Sequence, residues 1–305
     1  MAGMKLACSL GVLAVVMSVG ASPRAMSGQT RPAITGIAFV RMYSSDTAAS
    51  DAFYGKTLGF EKVMGADGIA RYGVNEAQWL EVEKLPTNPQ ETRVAEVAFT
   101  TRDVKVLRRY LVAHHVAIEA GARKDQFSVR DPEGNLIGFV QRDALKGRLT
   151  MSTRSTSRRV IHAGFVVRGR AVEDAFYRDL LGFKPYWHGG RTDNSTDYVS
   201  LQVPDGTDWV EYMLNGGPHP SAHTLGVMNH FSLGVAHMSD ATTALARNGC
   251  TTAECSKSQM GRDGKVQLNL YDPDLTRVEF MEFVPSGTTC CSSFEGRHPI
   301  EVEDR

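Results

Sequence analysis

The sequence carries no net charge: 34 Lys plus Arg stand against 34 Asp plus Glu in 305 residues. Neither sign gathers into a long block, so the chain lacks the electrostatic footprint of a nucleic-acid binder. Long apolar runs are missing as well. LACSLGVLAVVMSVGA, behind Lys5, is too short for a stable membrane span. With small residues at Val19, Gly20 and Ala21, it reads as an export signal over residues 1–21, cleaved near Ala21. A periplasmic or secreted protein with no stable membrane span after cleavage is the expectation. Cys8 comes too early in the run for a lipoprotein acceptor. Cysteine is scarce too, since cleavage leaves Cys250, Cys255, Cys290 and Cys291. In an oxidising compartment these permit disulfides, although a core of this size needs no staples. Cys250 with Cys255 would close a small loop. Adjacent Cys290 and Cys291 are expected to pair elsewhere rather than with each other, and free thiols remain open.

What the chain does contain is an internal repeat. DAFYGKTLGF at 51–60 returns as DAFYRDLLGF at 174–183, QWLEVE at 78–83 as DWVEYM at 208–213, and RDPEGNLIGFVQ at 130–141 as YDPDLTRVEFME at 271–282. The order is kept while the loops differ in length. Two homologous modules follow, 33–143 and 158–285, joined by a polar, basic linker at 144–157, with a tail at 286–305 expected to be loosely ordered. Each module divides again into a strand, an amphipathic helix and three further strands, read from apolar periodicity and turn residues. The fold class is α+β, four βαβββ units in two tandem modules.

Four residues of the second module have the chemistry to hold one metal ion: His162 in VIHAGFVV, Glu211 in DWVEYML, His230 in NHFSLGV and Glu279 in RVEFMEF. A lone strand His is ordinarily a hydrogen-bonded core residue, and a lone strand Glu is ordinarily solvated. These four come at mirrored spacing: 49 residues separate the first pair, 19 the middle pair and 49 the last. Two imidazoles and two carboxylates suit Zn, Ni, Co, Mn or Fe(II) rather than thiolate-preferring metals.

Paired βαβββ units, a helix ending F-Y-x-x-x-L-G-F and a D-P turn before a ligand-bearing last strand together resemble the vicinal oxygen chelate superfamily. That superfamily includes glyoxalase I, methylmalonyl-CoA epimerase, extradiol dioxygenases and bleomycin- or fosfomycin-resistance proteins. The resemblance implies a metal-dependent enzyme acting on a small molecule that chelates the metal through two vicinal oxygens. Glyoxalase I places a carboxylate where this chain has Glu211, and the resemblance implies a lyase or isomerase in which Glu279 is the base and Glu211 a second ligand or partner base. Extradiol dioxygenases would use His162, His230 and Glu279 with Fe(II). They also carry a His before the last two strands, where this chain reads GRDGKVQLNLYDP with Tyr271 and no His. A non-catalytic binding protein like the bleomycin-resistance proteins is the third reading. An exported chain is not expected to use the cytosolic glutathione adduct of glyoxalase I.

The first module is expected to be degenerate. Alignment on the repeats sets Gly36 opposite His162, Glu81 opposite Glu211, Glu96 opposite His230 and Gly138 opposite Glu279. Around the candidate cleft, Trp187, Arg191, Trp209, Arg262 and Tyr271 are the expected substrate-binding residues, with Arg191 or Arg262 holding a substrate carboxylate. A monomer or homodimer is compatible with two modules in one chain.

Overall fold

The computed structural model describes residues 1, 30–88, 92–144 and 146–302, so the expected export signal lies outside the described residues. The fold occupies one compact unit from Arg31 onward. Module 1 runs β1 (Ile34–Ser44), α1 (Thr47–Asp51), β2 (Glu61–Met64), β3 (Ala70–Gly73), β4 (Trp79–Lys84), β5 (Val94–Thr101), α2 (Val104–Ala113), β6 (Gln126–Arg130) and β7 (Leu136–Gln141). Module 2 runs β8 (Val160–Val166), α3 (Arg170–Asp174), β9 (Lys184–Gly189), β10 (Tyr198–Gln202), β11 (Trp209–Met213), α4 (Ala222–Met228), β12 (His230–Val235), α5 (Met238–Arg247), β13 (Ser258–Met260), β14 (Val266–Tyr271) and β15 (Arg277–Glu282). Each module makes one mixed sheet, ordered β2-β3-β4-β1-β5-β7-β6 and β13-β14-β15-β12-β8-β11-β10-β9. The α+β architecture of tandem βαβββ-type modules is therefore present. One unit is shorter than expected: among the described residues only β6 and β7 follow α2.

Local chemistry explains the helices. The Asp46 side chain accepts from the amides of Ala48 and Ala49, and Asp103 accepts from Val106, capping α1 and α2. Both α1 and α3 continue as π-helical segments, Ala52–Thr57 and Ala175–Leu180, through the repeated A-F-Y stretch. Gly59 and Gly182 follow at φ 74° and 76°, which is why each repeat reads L-G-F at the helix end. α4 was not anticipated. It lies in a Gly/Pro/His-rich stretch that reads as loop, and it forms because Ser221 caps it through Thr224 N while Leu225 and Met228 are buried.

The two modules share a core that includes Val40, Leu80 and Phe99 of the first and Phe165, Leu233 and Phe280 of the second. Polar contacts across the junction are reciprocal. Tyr54, in the helical stretch of module 1, donates to Asp272 in the D-P turn of module 2 at 2.8 Å. Tyr177, its counterpart in module 2, donates to Asp131 in the D-P turn of module 1 at 3.1 Å. The motifs that revealed the repeat thus join the repeats to each other.

The tail departs from its expected looseness. Phe294 packs on Tyr186 with ring centroids 4.9 Å apart, His298 Nδ1 lies 2.7 Å from the Tyr186 hydroxyl, and Gln202 donates to Arg297 O at 2.8 Å. Burial of one aromatic ring among others anchors a segment that is otherwise polar. Cysteine pairing departs in one half: Cys250 pairs with Cys255 in the small loop expected, whereas Cys290 pairs with its neighbour Cys291 rather than elsewhere.

Candidate metal centre

Four adjacent strands of the second sheet, β11-β8-β12-β15, carry the four candidate ligands. Alternate residues of a strand share a face, and the register lays that face out in two rungs. Trp209 pairs with His162, His162 with Ser232, and Ser232 with Glu279. On the next rung Glu211 pairs with Gly164, and Gly164 with His230. The register that pairs Phe231 with Val278 carries Arg277 to the end of this second rung. Small residues, Ser232 and Gly164, sit between the ligands and leave room for them. At Gly164 the requirement is direct, because a Cβ there would run into the His230 ring.

The donor atoms converge. His162 Nε2 lies 3.1 Å from His230 Nε2 and 3.1 Å from Glu279 Oε2. Glu211 Oε2 stands 3.5 Å from His230 Nε2 and 4.0 Å from His162 Nε2, and Glu279 Oε2 stands 4.0 Å from His230 Nε2. One atom each from His162, Glu211 and His230 forms a mutually close set able to hold an ion. Ligands bound at about 2.1 Å are separated by about 3 Å at right angles and about 4 Å across the ion, so this spacing fits one divalent cation.

Tautomer and charge agree with that fit. His230 Nδ1 lies 2.8 Å from Met228 O, so it donates there and leaves Nε2 unprotonated toward the site. Trp209 stacks on His162 with ring centroids 4.7 Å apart, fixing the ring plane. Burial lowers the pKa of both imidazoles, which keeps them neutral and available as ligands. Burial pushes Glu211 up to about 8, reinforced by the nearby Glu279 charge. Burial acts in the same direction on Glu279, but Arg277 and the His162 contact outweigh it and hold the group at about 2. The unprotonated His230 Nε2 faces His162 Nε2 and the carboxylates of Glu211 and Glu279, while His162 Nδ1 has no partner among the described residues, a cluster of acceptors that a cation among them would satisfy.

A cavity of ≈ 380 Å³ opens on these atoms, and Trp187, Arg191, Trp209, Glu211, Arg262 and Glu279 contribute to its wall. Tyr271 does not. It pairs with Arg277 at the outer end of β14, is 43% exposed and lies beyond the cavity. Arg262 is already engaged, donating to Gly190 O at 3.1 Å and to Asp193. Arg191 is engaged too once the Asn215 amide is oriented with its oxygen toward the guanidinium, at 3.0 and 3.1 Å. Sequence reasoning missed Arg277 as a wall residue, although its place two residues before Glu279 puts it on the ligand face. It also missed Lys265, which is fully buried, donates to the Tyr186 hydroxyl at 3.1 Å and lies 4.8 Å from the Trp209 ring centroid.

Module 1 shows what became of the equivalent position. Phe39 pairs with Trp79 and Ala98, and Arg41 with Glu81 and Glu96. The counterpart of His162 is therefore Phe39, not Gly36, and the counterpart of Gly164 is Arg41. The Arg41 guanidinium lies 2.7 Å from Glu81 and 3.0 Å from Glu96, and Arg71 Nε reaches Glu81 at 2.8 Å. A side-chain cation sits between two carboxylates where module 2 offers a metal-sized gap. A larger cavity of ≈ 580 Å³ lies beside Trp79 and Val140 of this module, remote from the four ligands.

Comparison with known proteins agrees with this geometry. Residues 161–280 match the Glyoxalase/Bleomycin resistance protein/Dioxygenase superfamily. No curated protein matches the chain. Among solved structures, a variant of homoprotocatechuate 2,3-dioxygenase from B. fuscum aligns with TM-score 0.61 at 18% identity, over 85% of this chain and 76% of that one. The 2,3-dioxygenase LapB from Pseudomonas sp. KL28 aligns with TM-score 0.60 at 14% identity, over 89% and 96%. Homoprotocatechuate 2,3-dioxygenase from Arthrobacter globiformis aligns with TM-score 0.61 at 18% identity, over 85% and 84%. At such identities the likeness is one of fold, and it spans both modules. The fold of the second module, which carries the four candidate ligands, is that of the glyoxalase/bleomycin resistance protein/dioxygenase superfamily, the vicinal oxygen chelate fold.

Proposed function

We propose that the protein is an exported, metal-dependent enzyme that moves a proton on a small substrate chelated through two adjacent oxygens, a glyoxalase-like lyase or isomerase. The observation that carries this reading is Glu211. It joins the two imidazoles from the side opposite Glu279, and among the described residues it makes no hydrogen bond. His162, His230, Glu279 and Glu211 would hold the ion. A divalent ion there supplies Lewis acidity toward an enediolate or enolate. Glu279 is tied to His162 and sits beside Arg277, which suits a fixed anionic ligand rather than a base. Glu211 is unbonded and lines the cavity, so the proton-transferring role expected of Glu279 passes to it. Trp187, Trp209 and Phe294 wall the reacting carbon from water.

Metal analysis of the purified protein beside a His162→Ala/His230→Ala variant tests the centre, with about one metal per chain expected and lost in the variant. Exchange of the carbon-bound proton of α-hydroxy ketones in D2O, followed by NMR, tests the chemistry. Glu211→Gln is expected to keep the metal and lose the exchange. A second reading, extradiol cleavage, draws on the His162–His230–Glu279 trio and on the two-module dioxygenase neighbours. Iron content with oxygen consumption on catechols, and no proton exchange, would replace the first reading by the second. Export is proposed on the N-terminal pattern alone. Sequencing the N-terminus of mature protein tests it, a start near residue 22 being expected.

A further inference from the structure

Three arginines line the cavity, and two of them are spoken for by Gly190, Asp193 and Asn215. The third, Arg277, is different. Among the described residues its guanidinium makes no hydrogen bond to a protein acceptor, its Nε is buried without a partner, and Nη1 stands 3.9 Å from Glu279 Oε1, beyond bonding distance. Its side chain is only 14% exposed. A half-buried guanidinium at a cavity wall, with a buried Nε and no protein acceptor, has donors free for a planar anionic group.

The charge balance of the cavity points the same way. Glu211 and Glu279 together offset a divalent ion. Asp263 lies beside Lys265, its carboxylate accepting the Lys265 amide at 3.1 Å, and offsets that buried amine. The Arg277 charge is then left over, in a space whose remaining walls carry no further charge: aromatic rings, Met213, Met228, Met260 and Met281, and the neutral polar side chains of Ser200, Gln259 and Gln267. Uncompensated charge in such surroundings selects a ligand of opposite sign.

We infer that the substrate is a flat carboxylate-bearing compound whose acid group docks on the Arg277 guanidinium while its adjacent oxygens face the ligand tetrad. This rests on the metal-dependent reading above and adds the substrate's charge and the residue that recognises it. Because Arg277 lies on the rung beside His230 and close to Glu279, the carboxylate sits next to the chelating oxygens rather than at the far end of the molecule. The arginines expected from sequence to hold such a group, Arg191 and Arg262, instead brace the cavity wall.

Catechol is a planar enediol, so it reports chelation without requiring turnover, and 2,3-dihydroxybenzoate adds a carboxylate beside the two oxygens. Both are titrated anaerobically by calorimetry into Zn-loaded native protein and into Arg277→Gln and Arg277→Lys. The native protein is expected to favour 2,3-dihydroxybenzoate over catechol by about 10–100-fold more than Arg277→Gln does. With zinc loaded, catechol affinity should be similar in the native protein and Arg277→Gln, and Arg277→Lys should retain part of the preference. An equal preference in native and Arg277→Gln, with zinc bound and catechol binding intact, overturns this inference and leaves the metal enzyme standing. Absence of zinc from the native protein removes the metal-dependent reading and this inference with it. If Arg277→Gln loses zinc, zinc-loaded Arg277→Lys decides: a retained preference for 2,3-dihydroxybenzoate, whole or partial, supports recognition by charge, and a preference no greater for it than for catechol overturns the inference.

Discussion

Replacing Gly164 by Ala tests the centre through a residue that ligates nothing. A Cβ at this position would stand 3.1 Å from His230 Nε2 and nearer still to Cε1 and Nδ1. Comfortable carbon contacts begin near 3.5 Å and the nearest ring atom, Cε1, stands at 2.1 Å, so the ring has to retreat by about 1.4 Å. It has little freedom to do so, because its Nδ1 is bonded to Met228 O and the residue is fully buried. Metal–ligand distances tolerate only about 0.2 Å, so His230 is lost as a ligand. Perturbing even a supporting group costs about 10–100-fold in metal affinity, and loss of a ligand should reach the upper end. At free zinc a thousand times the native Kd, binding stabilises the fold by about 4.1 kcal/mol, and a 100-fold weaker site leaves about 1.4 kcal/mol. Overpacking itself costs about 1–3 kcal/mol. Thermal melts with and without zinc, together with chelator competition, separate the two effects. Ser232→Ala is the control: it lies between His162 and Glu279 on the other rung, its hydroxyl has no partner, and its loss should leave affinity unchanged. Native zinc affinity in Gly164→Ala would refute the assignment of His230 as a ligand.

Arg41→Met should cost about 3–5 kcal/mol in urea denaturation, because Glu81 and Glu96 stay buried beside a missing cation, while zinc content is unchanged. Tyr54→Phe should cost about 1–3 kcal/mol in the same assay by leaving buried Asp272 without its hydroxyl donor. Burial, with the Asp131 charge second, raises the pKa of Glu173 to about 8. A raised carboxyl pKa contributes stability that is full below its unfolded value near 4.5 and is lost as pH rises through 8. Melting temperatures of Glu173→Gln should therefore fall less steeply than those of the native protein across that window, and parallel profiles would contradict the assignment.

The tetrad was legible because its chemistry is local to each strand and its spacing is mirrored. The counterpart of His162 was not. Register shifts interrupt the pairing of β1 with β5 between Ile34 and Gly36 and again between Ile37 and Phe39, so matching similar letters along β1 slides the alignment by three residues. The helical repeat carried the right offset, since 51 and 174 differ by the same amount as Phe39 and His162. Lys265 hid in GRDGK, which reads as a solvated turn, and it is covered by Tyr186, Trp209 and the tail's Phe294, none of them near it in sequence. Tyr271 failed in the opposite way. Its face was right and its position along the strand was one step too far out. Alternation fixes which side a residue faces, whereas the extent of a cavity depends on segments distant in sequence.

Asp272 opens the turn that leads from β14 into β15, and β15 presents both Arg277 and Glu279 to the cavity. The hydroxyl that steadies this turn belongs to Tyr54 of module 1. The module that holds an arginine where its twin offers a metal-sized gap therefore also bears on the strand that carries two of the twin's cavity residues. A duplicated half without the candidate ligands can still support its twin, through the shared core and through one tyrosine and one aspartate at the junction. Splitting the gene between the modules would yield a second half that owns all four ligands but has lost the fixed support of its last strand.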